Sequence, residues 1–190
     1  MSRSSEDGPY VSRAGQKLAH ALDAFGTSAR GRVCADLGSN AGGFVDCLLQ
    51  AGATRVYAVE RGYGVLHFKL RRDPRVVVME RTDALHVRLP EPVDLISIDA
   101  GWTRQRLILP AARRLLAPGG EIISLIKPHY EAEADQLRQG VLDAAHLEDV
   151  LTKVRHDVIS SGFECTQEAE SPILGHGGNR EFLFRLIVPA

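Results

Sequence analysis

Strand-like and helix-like segments alternate along most of this chain, and the alternation stops only at its end. The apolar runs "RVCADL", "RVYAVE", "RVVVME", "VDLISI" and "EIISLI" read as buried strands. Helical spacing separates them. From Ser12, Leu18, Ala21, Leu22 and Phe25 recur on one face and Gly26 closes the segment. Further helices are expected over Gly43–Gln50, near Val65–Arg71, over Arg104–Leu116 (stopped by "APGG") and over a long stretch from Ala134 to Ser160. Then "FECTQEA" and "EFLFRLIV" follow with no helix between them. Parallel strands need a crossover, whereas antiparallel strands can join directly. The pattern therefore predicts an α/β fold: a seven-stranded, mostly parallel sheet, helices on both faces, and an antiparallel last strand. No repeat or linker divides the chain, so residues 1–190 are expected to form one domain, with the polar first ten residues loose.

Composition narrows the class. Hydrophobic residues make up 44% and charged residues 25%, as expected of a globular domain. No apolar run is long enough to cross a bilayer, and the opening "MSRSSEDGPY" has no signal-type segment, so a cytoplasmic protein without membrane association is expected. Three scattered cysteines, Cys34, Cys47 and Cys165, read as reduced thiols, and no cluster has metal-ligand spacing. A net charge of −1 excludes a globally basic nucleic-acid binder. Basic residues still cluster at Arg61, Lys69, Arg71, Arg72 and Arg75, and again at Arg104, Arg106, Arg113 and Arg114. Each cluster alone reads as a solvated face; two on one side would make a phosphate footprint.

The loop after the first strand carries the first chemical signal. In "VCADLGSNAGGFVDCLLQ", Gly38, Gly42 and Gly43 have the architecture of a dinucleotide turn without its spacing, because Asn40 stands where a glycine is needed. Gly38 permits a sharp exit from the strand, and Gly42 and Gly43 are expected to let backbone approach a ligand. Asp36 ends the first strand, Glu60 the second, and Asp83 follows the third. Ligands of open α/β sheets sit at these carboxyl ends. Carboxylates at 36, 60 and 83 repel pyrophosphate but suit a ribose, an adenine and a cationic centre. That combination points to S-adenosyl-L-methionine, with Asp36, Gly38, Ser39, Asn40, Gly42, Gly43, Glu60, Arg61 and Asp83 as candidate contacts and no metal; Phe44, by its helix position alone, reads as core.

Other polar residues fall on the same edge. Asp99 ends "LISIDAGW" and Lys127 ends "SLIKPHYE". A lysine directly after an apolar strand is expensive to bury unless it is paired. Because the last strand should run antiparallel, Glu181 at its start lies at this edge too. Lys17, in "SRAGQKL", can cap it from the leading helix. Singly, each reads as an ordinary surface charge or ion pair, with Arg180 an obvious partner for Glu181. Trp102, Tyr63 and Tyr130 could stack a base or simply pack over the loop.

The segments "YVSRAGQKLAHAL", "DLGSNAGGF", "YAVERGYG", "VDLISID", "LIKPHYE" and "SPILGHGGNREF", in this order, resemble the hemolysin-A-like (TlyA) branch of the FtsJ/RrmJ-type methyltransferases. The resemblance runs from Tyr10 to the last strand. It implies a class I, Rossmann-like, S-adenosylmethionine-dependent fold acting on ribose 2′-hydroxyls of ribosomal RNA. The family's Lys-Asp-Lys-Glu tetrad falls on Lys17, Asp99, Lys127 and Glu181, and its cofactor contacts fall on Gly42, Phe44, Glu60, Asp83 and Asp99. Members of that branch open with a small RNA-binding module, which is not expected here. Ala100-Gly101-Trp102 and His129-Tyr130 depart from the family's residues beside the acceptor. The expected partner is therefore RNA or, alternatively, a small-molecule hydroxyl. A non-catalytic hemolysin-like binding protein is the remaining reading, and the oligomeric state is left open.

Overall fold

In the computed structural model, residues 8–189 are described. The leading helix α1 (Ala14–Phe25) ends at Gly26, whose left-handed φ of 61° is free to a glycine. Strand β1 (Val33–Leu37) runs through a loop into α2 (Gly43–Gln50). Then come β2 (Arg55–Val59), a single turn α3 (Phe68–Arg71), β3 (Val76–Met79) and β4 (Val93–Ile98). Helix α4 (Gln105–Arg113) precedes the long β5 (Leu116–Ile126), which leads into a second single turn, α5 (Pro128–Glu131).

The expected helix over 134–160 is half wrong. A short hairpin, β6 (Leu137–Arg138) and β7 (Val141–Leu142), occupies its first half, and only α6 (Leu147–Ser160) is α-helical. The reason is the Gln139-Gly140 turn. Both residues have positive φ, 52° and 80°, which a helix forbids and a tight primed turn requires. Strands β8 (Glu164–Glu170) and β9 (Phe182–Ile187) complete the fold.

The strands form a seven-stranded sheet in the order β3-β2-β1-β4-β5-β9-β8. The strands from β1 to β5 pair in parallel, and β9 runs antiparallel to both β5 and β8, as the missing crossover requires. Strand alternation fixes which face each residue serves. Cys34, aligned with Val56 and Leu95, packs under α1 and α2; Ala35, aligned with Tyr57 and Ile96, packs under α4 and α6. Both faces are covered, so β1 is apolar throughout rather than alternating. After β1 the chain builds outward on one side, then returns to place β4 on the other. The switch between β1 and β4 opens a crevice at their carboxyl ends.

Of the ten-residue leader expected to be loose, residues 1–7 lie outside the described residues. The rest of it is held. The Pro9 carbonyl accepts a bond from Gln50 Nε2 at 2.9 Å, and Tyr10 packs against the core.

At Gly42 and Gly43 the space where a side chain would stand is filled by protein. A Cβ on Gly42 would stand 2.2 Å from Leu70 Cδ1, and one on Gly43 would stand 2.3 Å from Ser12 Oγ and 2.8 Å from the Gly15 nitrogen. These glycines admit protein: α3 against the loop, and α1 against α2. Gly43→Ala is therefore expected to lower stability by about 1–3 kcal/mol in urea unfolding. Gly101→Ala, with nothing within 4 Å of its added carbon, should stay within about 0.5 kcal/mol of wild type. Equal stabilities would contradict the packing role.

Candidate active site

A cleft of about 500 Å³ occupies the crevice at the switch point. Gly38 and Asn40 form its floor, Glu60, Arg61 and Asp83 one wall, and Asp99, Lys127 and Tyr130 the other. A smaller adjoining cavity of about 90 Å³ is lined by Asp36, Ser39, Phe44 and Ser12. Local geometry builds the floor. Gly38 turns the chain at a φ of 92°, and a Cβ there would stand 2.7 Å from the Asp99 carbonyl oxygen. Asn40 is also left-handed, at a φ of 46°. Its N–H donates to Glu60 Oε2 at 2.7 Å, while Gly62 N–H donates to Glu60 Oε1 at 2.6 Å. One carboxylate thus fixes the loops after β1 and β2 relative to each other.

The second wall carries two ion pairs. Lys17, brought in by α1, bonds Glu181 at the start of β9; the pair is buried and its members lie 164 residues apart in the chain. Lys127 Nζ meets Asp99 Oδ1 at 2.5 Å. Arg180, the sequence neighbour of Glu181, turns instead to Glu170 at 2.7 Å. The two pairs sense one another, because Lys17 and Glu181 both act on Asp99 and Glu181 acts on Lys127. Burial disfavours the Lys127 ammonium, but the attraction of Asp99, aided by Glu181, outweighs it and holds the lysine above its ordinary pKa. In the free protein Lys127 is a charged, bonded ammonium.

Asp36 is the opposite case. It is fully buried, and burial pushes its carboxyl up to about 7, with Asp99 and Glu60 adding repulsion against a bond from Ser97. Ser97 Oγ donates to Asp36 Oδ1 at 2.7 Å, and Oδ2 has no partner. An orphaned carboxylate oxygen beside a small cavity is what a cationic ligand group would satisfy. Four acids at one crevice fit a cation, ribose hydroxyls and an amine donor far better than a pyrophosphate.

Of the residues singled out from sequence, Gly38, Asn40, Glu60, Arg61, Asp83, Asp99 and Lys127 share the larger cleft, and Asp36, Ser39 and Phe44 the smaller. Gly42 and Gly43 line neither. Phe44 is at once core and cavity wall.

Sequence reasoning missed the strut behind this wall. Glu131, at the end of "KPHYE", is 2% exposed, and its Oε1 accepts the Gln105 N–H at 2.7 Å, capping α4. Gln105 Oε1 in turn accepts from Ser124 Oγ on β5 at 2.8 Å. The turn bearing Lys127 and Tyr130 is thereby clamped to the helix that follows Asp99. His129, between them, is driven down to about 4 by burial and by the charges of Lys127, His176 and Lys17, so it is neutral. The three cysteines are free thiols, each pushed up to about 12 chiefly by burial. Among the described residues no group of side chains could hold a metal ion, and no helix is long and apolar enough to cross a membrane.

Comparison with known proteins converges on one family. The FtsJ-like methyltransferase family matches residues 10–187. The chain is 42% identical over 189 residues to "Putative rRNA methyltransferase YqxC" of Bacillus subtilis, covering 95% of this chain and 66% of that protein. It is 36% identical over 183 residues to the "16S/23S rRNA (cytidine-2'-O)-methyltransferase TlyA" of Mycobacterium tuberculosis, covering 93% of this chain and 68% of the other. A solved structure described as "Putative hemolysin from Streptococcus thermophilus" superposes with a TM-score of 0.92 at 37% identity, covering 96% of this chain and 68% of that one. The matched residues run from just before α1 to the end of β9, and the chain belongs to the FtsJ-like methyltransferase family.

Proposed function

We propose that this chain is an S-adenosylmethionine-dependent methyltransferase whose acceptor is a ribose 2′-hydroxyl of ribosomal RNA, with Lys17, Asp99, Lys127 and Glu181 as its catalytic set. The observation that carries the reading is the meeting of a buried ion pair, Lys17–Glu181, with a partly buried one, Lys127–Asp99, at the mouth of an acid-lined cleft. Buried ion pairs are poor stabilisers, since desolvation can exceed the attraction. A buried and a partly buried pair together at the ligand edge of a sheet are better explained by chemistry than by folding. The names of the relatives agree with an RNA acceptor.

The cavity residues divide the ligand between them. Asp36 suits the methionine ammonium, Glu60 the ribose hydroxyls and Asp83 the adenine amine, with Asn40, Ser39, Gly38 and Phe44 shaping the floor. When bound, S-adenosylmethionine supplies a methyl group on a sulfonium, which leaves as a neutral thioether. The chain's own work is proton management and alignment. Lys127 contacts the acceptor hydroxyl, orients its oxygen and takes its proton. A bound cation near Asp99 competes for that carboxylate, and Lys17 adds a second positive charge. Both ease loss of the Lys127 proton, leaving an amine to act as base. Glu181 holds Lys17 in place.

Three outcomes follow. Lys127→Ala should lower methyl transfer to ribosomal RNA by about 10²–10⁴-fold, while calorimetric affinity for S-adenosylmethionine changes little; full turnover in the variant would refute the role. Because Lys127 is held above its ordinary pKa and acts as the amine, single-turnover rates should climb about tenfold per pH unit through neutrality, and a flat profile would contradict base catalysis. Asp36 supplies the third test. Below about 7 its carboxyl is protonated in the free protein, so binding a cation must expel that proton. Affinity for S-adenosylmethionine should rise with pH up to about 7 and then level, and Asp36→Asn should be weaker and flat. An unchanged pH dependence in Asp36→Asn would remove Asp36 from the site.

A further inference from the structure

The sequence shows two basic clusters, and the structure pairs three of the five charges of the first and one of the four of the second with acids. Arg71 bonds Glu80, Lys69 reaches Asp46, Arg75 folds onto Asp73, and Arg104 pairs with Glu133. Arg113 and Arg114 donate to backbone carbonyls. Among the described residues Arg106 is left unpaired on α4, and on the β2 side of the cleft what remains without an acidic partner is Arg61, Arg72 and Arg81. All three are exposed, and all lie on the loops around β2, α3 and β3.

Two large rings stand out from the same surface. Tyr63 is 70% exposed with the Arg81 guanidinium 4.2 Å from its centroid; Phe68 is 63% exposed with the Arg72 guanidinium 4.4 Å from its own. An exposed cation–π pair stabilises by only about 0.5–1 kcal/mol, too little to explain two displayed aromatics. Their mounting is also strained. Arg81 is a non-glycine residue at a φ of 53°, held there by its N–H bonding the Gly62 carbonyl at 3.1 Å. That bond ties the Arg81 loop to the loop carrying Tyr63. Left-handed backbone away from glycine tends to be retained where function needs it.

From this geometry we infer that Tyr63, Phe68, Arg72 and Arg81 form a docking ridge for single-stranded RNA flanking the acceptor nucleotide. Arg61, at the cleft wall, joins the ridge to the cleft. Guanidinium planes and open ring faces are the surfaces on which splayed bases stack, and free positive charge is what phosphates need. The ridge accounts for RNA recognition by a domain whose net charge is only −1: affinity comes from a few unneutralised arginines rather than from an overall basic surface. The inference rests on the RNA reading above and names the surface that reading requires.

The test uses the full chain with a ribosomal RNA fragment containing single-stranded loops. Fluorescence anisotropy across a salt series gives affinity and slope, methyl incorporation gives kcat and KM, and calorimetry gives S-adenosylmethionine affinity. Arg72→Ala/Arg81→Ala should weaken RNA binding and flatten the log–log salt slope by about 1.4, at about 0.7 per phosphate contact. Tyr63→Ala/Phe68→Ala should weaken binding about tenfold or more with an unchanged slope. Both should raise KM for RNA and leave S-adenosylmethionine affinity intact, which also verifies folding. Charge reversal, Arg72→Glu/Arg81→Glu, should weaken RNA binding further. If wild type methylates RNA yet all three variants bind it with unchanged affinity and slope, the ridge is refuted while the activity stands, and the rings would belong to a protein contact. If wild type neither binds nor methylates RNA, both readings fall.

Discussion

Everything at the ligand edge depends on one buried contact, Lys17 with Glu181, between residues 164 apart in the chain. Neither charge could be buried alone without several kcal/mol of penalty. The contact exists only because β9 enters the sheet antiparallel, which brings its first residues to the edge where the parallel strands end. It draws α1 across the loop after β1, and Gly43 lets the helix settle there without a side chain in the way. The same arrangement sets Lys127 and Asp99 beside a second pair of charges. Topology, a glycine contact and an ion pair thus act as one device for holding two amines close together.

The acids of the cleft show a related compromise. Asp36 is buried with one oxygen unbonded, an arrangement that works against the folded state and raises its pKa. Glu60, by contrast, is fully engaged with the loop N–H groups and so shapes the floor before any ligand arrives. Backbone strain follows the same distribution. Asn40, Arg81 and Trp102 are left-handed non-glycine residues around the cleft rim, and the other, Gln139, lies in the hairpin turn. Trp102, 85% exposed, leans on Tyr130 with ring centroids 4.6 Å apart. A fold that stored strain at random would not gather it at the mouth of its cleft.

Much of this was legible in the residues. Strands β1 and β4 and helix α2 are marked by apolar runs and glycine stops, and the absence of a helix before "EFLFRLIV" announced the antiparallel strand. Placing Asp99, Lys127 and Glu181 on one edge needed only strand ends and direction. Other features depend on partners that no local pattern reveals. Residues 134–146 carry helix-compatible side chains, yet Gln139-Gly140 and the bonds from Asn179 to Gly140 and Leu142 commit them to a hairpin. The packing role of Gly42 and Gly43 was hidden because their crowding comes from Leu70 and Ser12, distant in sequence. The basic clusters were equally undecided from sequence, since which arginines stay free is settled by acids elsewhere in the chain. Arg81, isolated in sequence, became visible only once the fold set it over Tyr63.

The central claim is that the gathered lysines and acids direct a methyl group onto a ribose oxygen. Nucleoside mass spectrometry of ribosomal RNA incubated with the protein and S-adenosylmethionine measures that directly. The account predicts a new 2′-O-methylated nucleoside in the digest. A methyl group found on a base instead, or RNA left unmodified while a small hydroxyl compound is methylated, would contradict it.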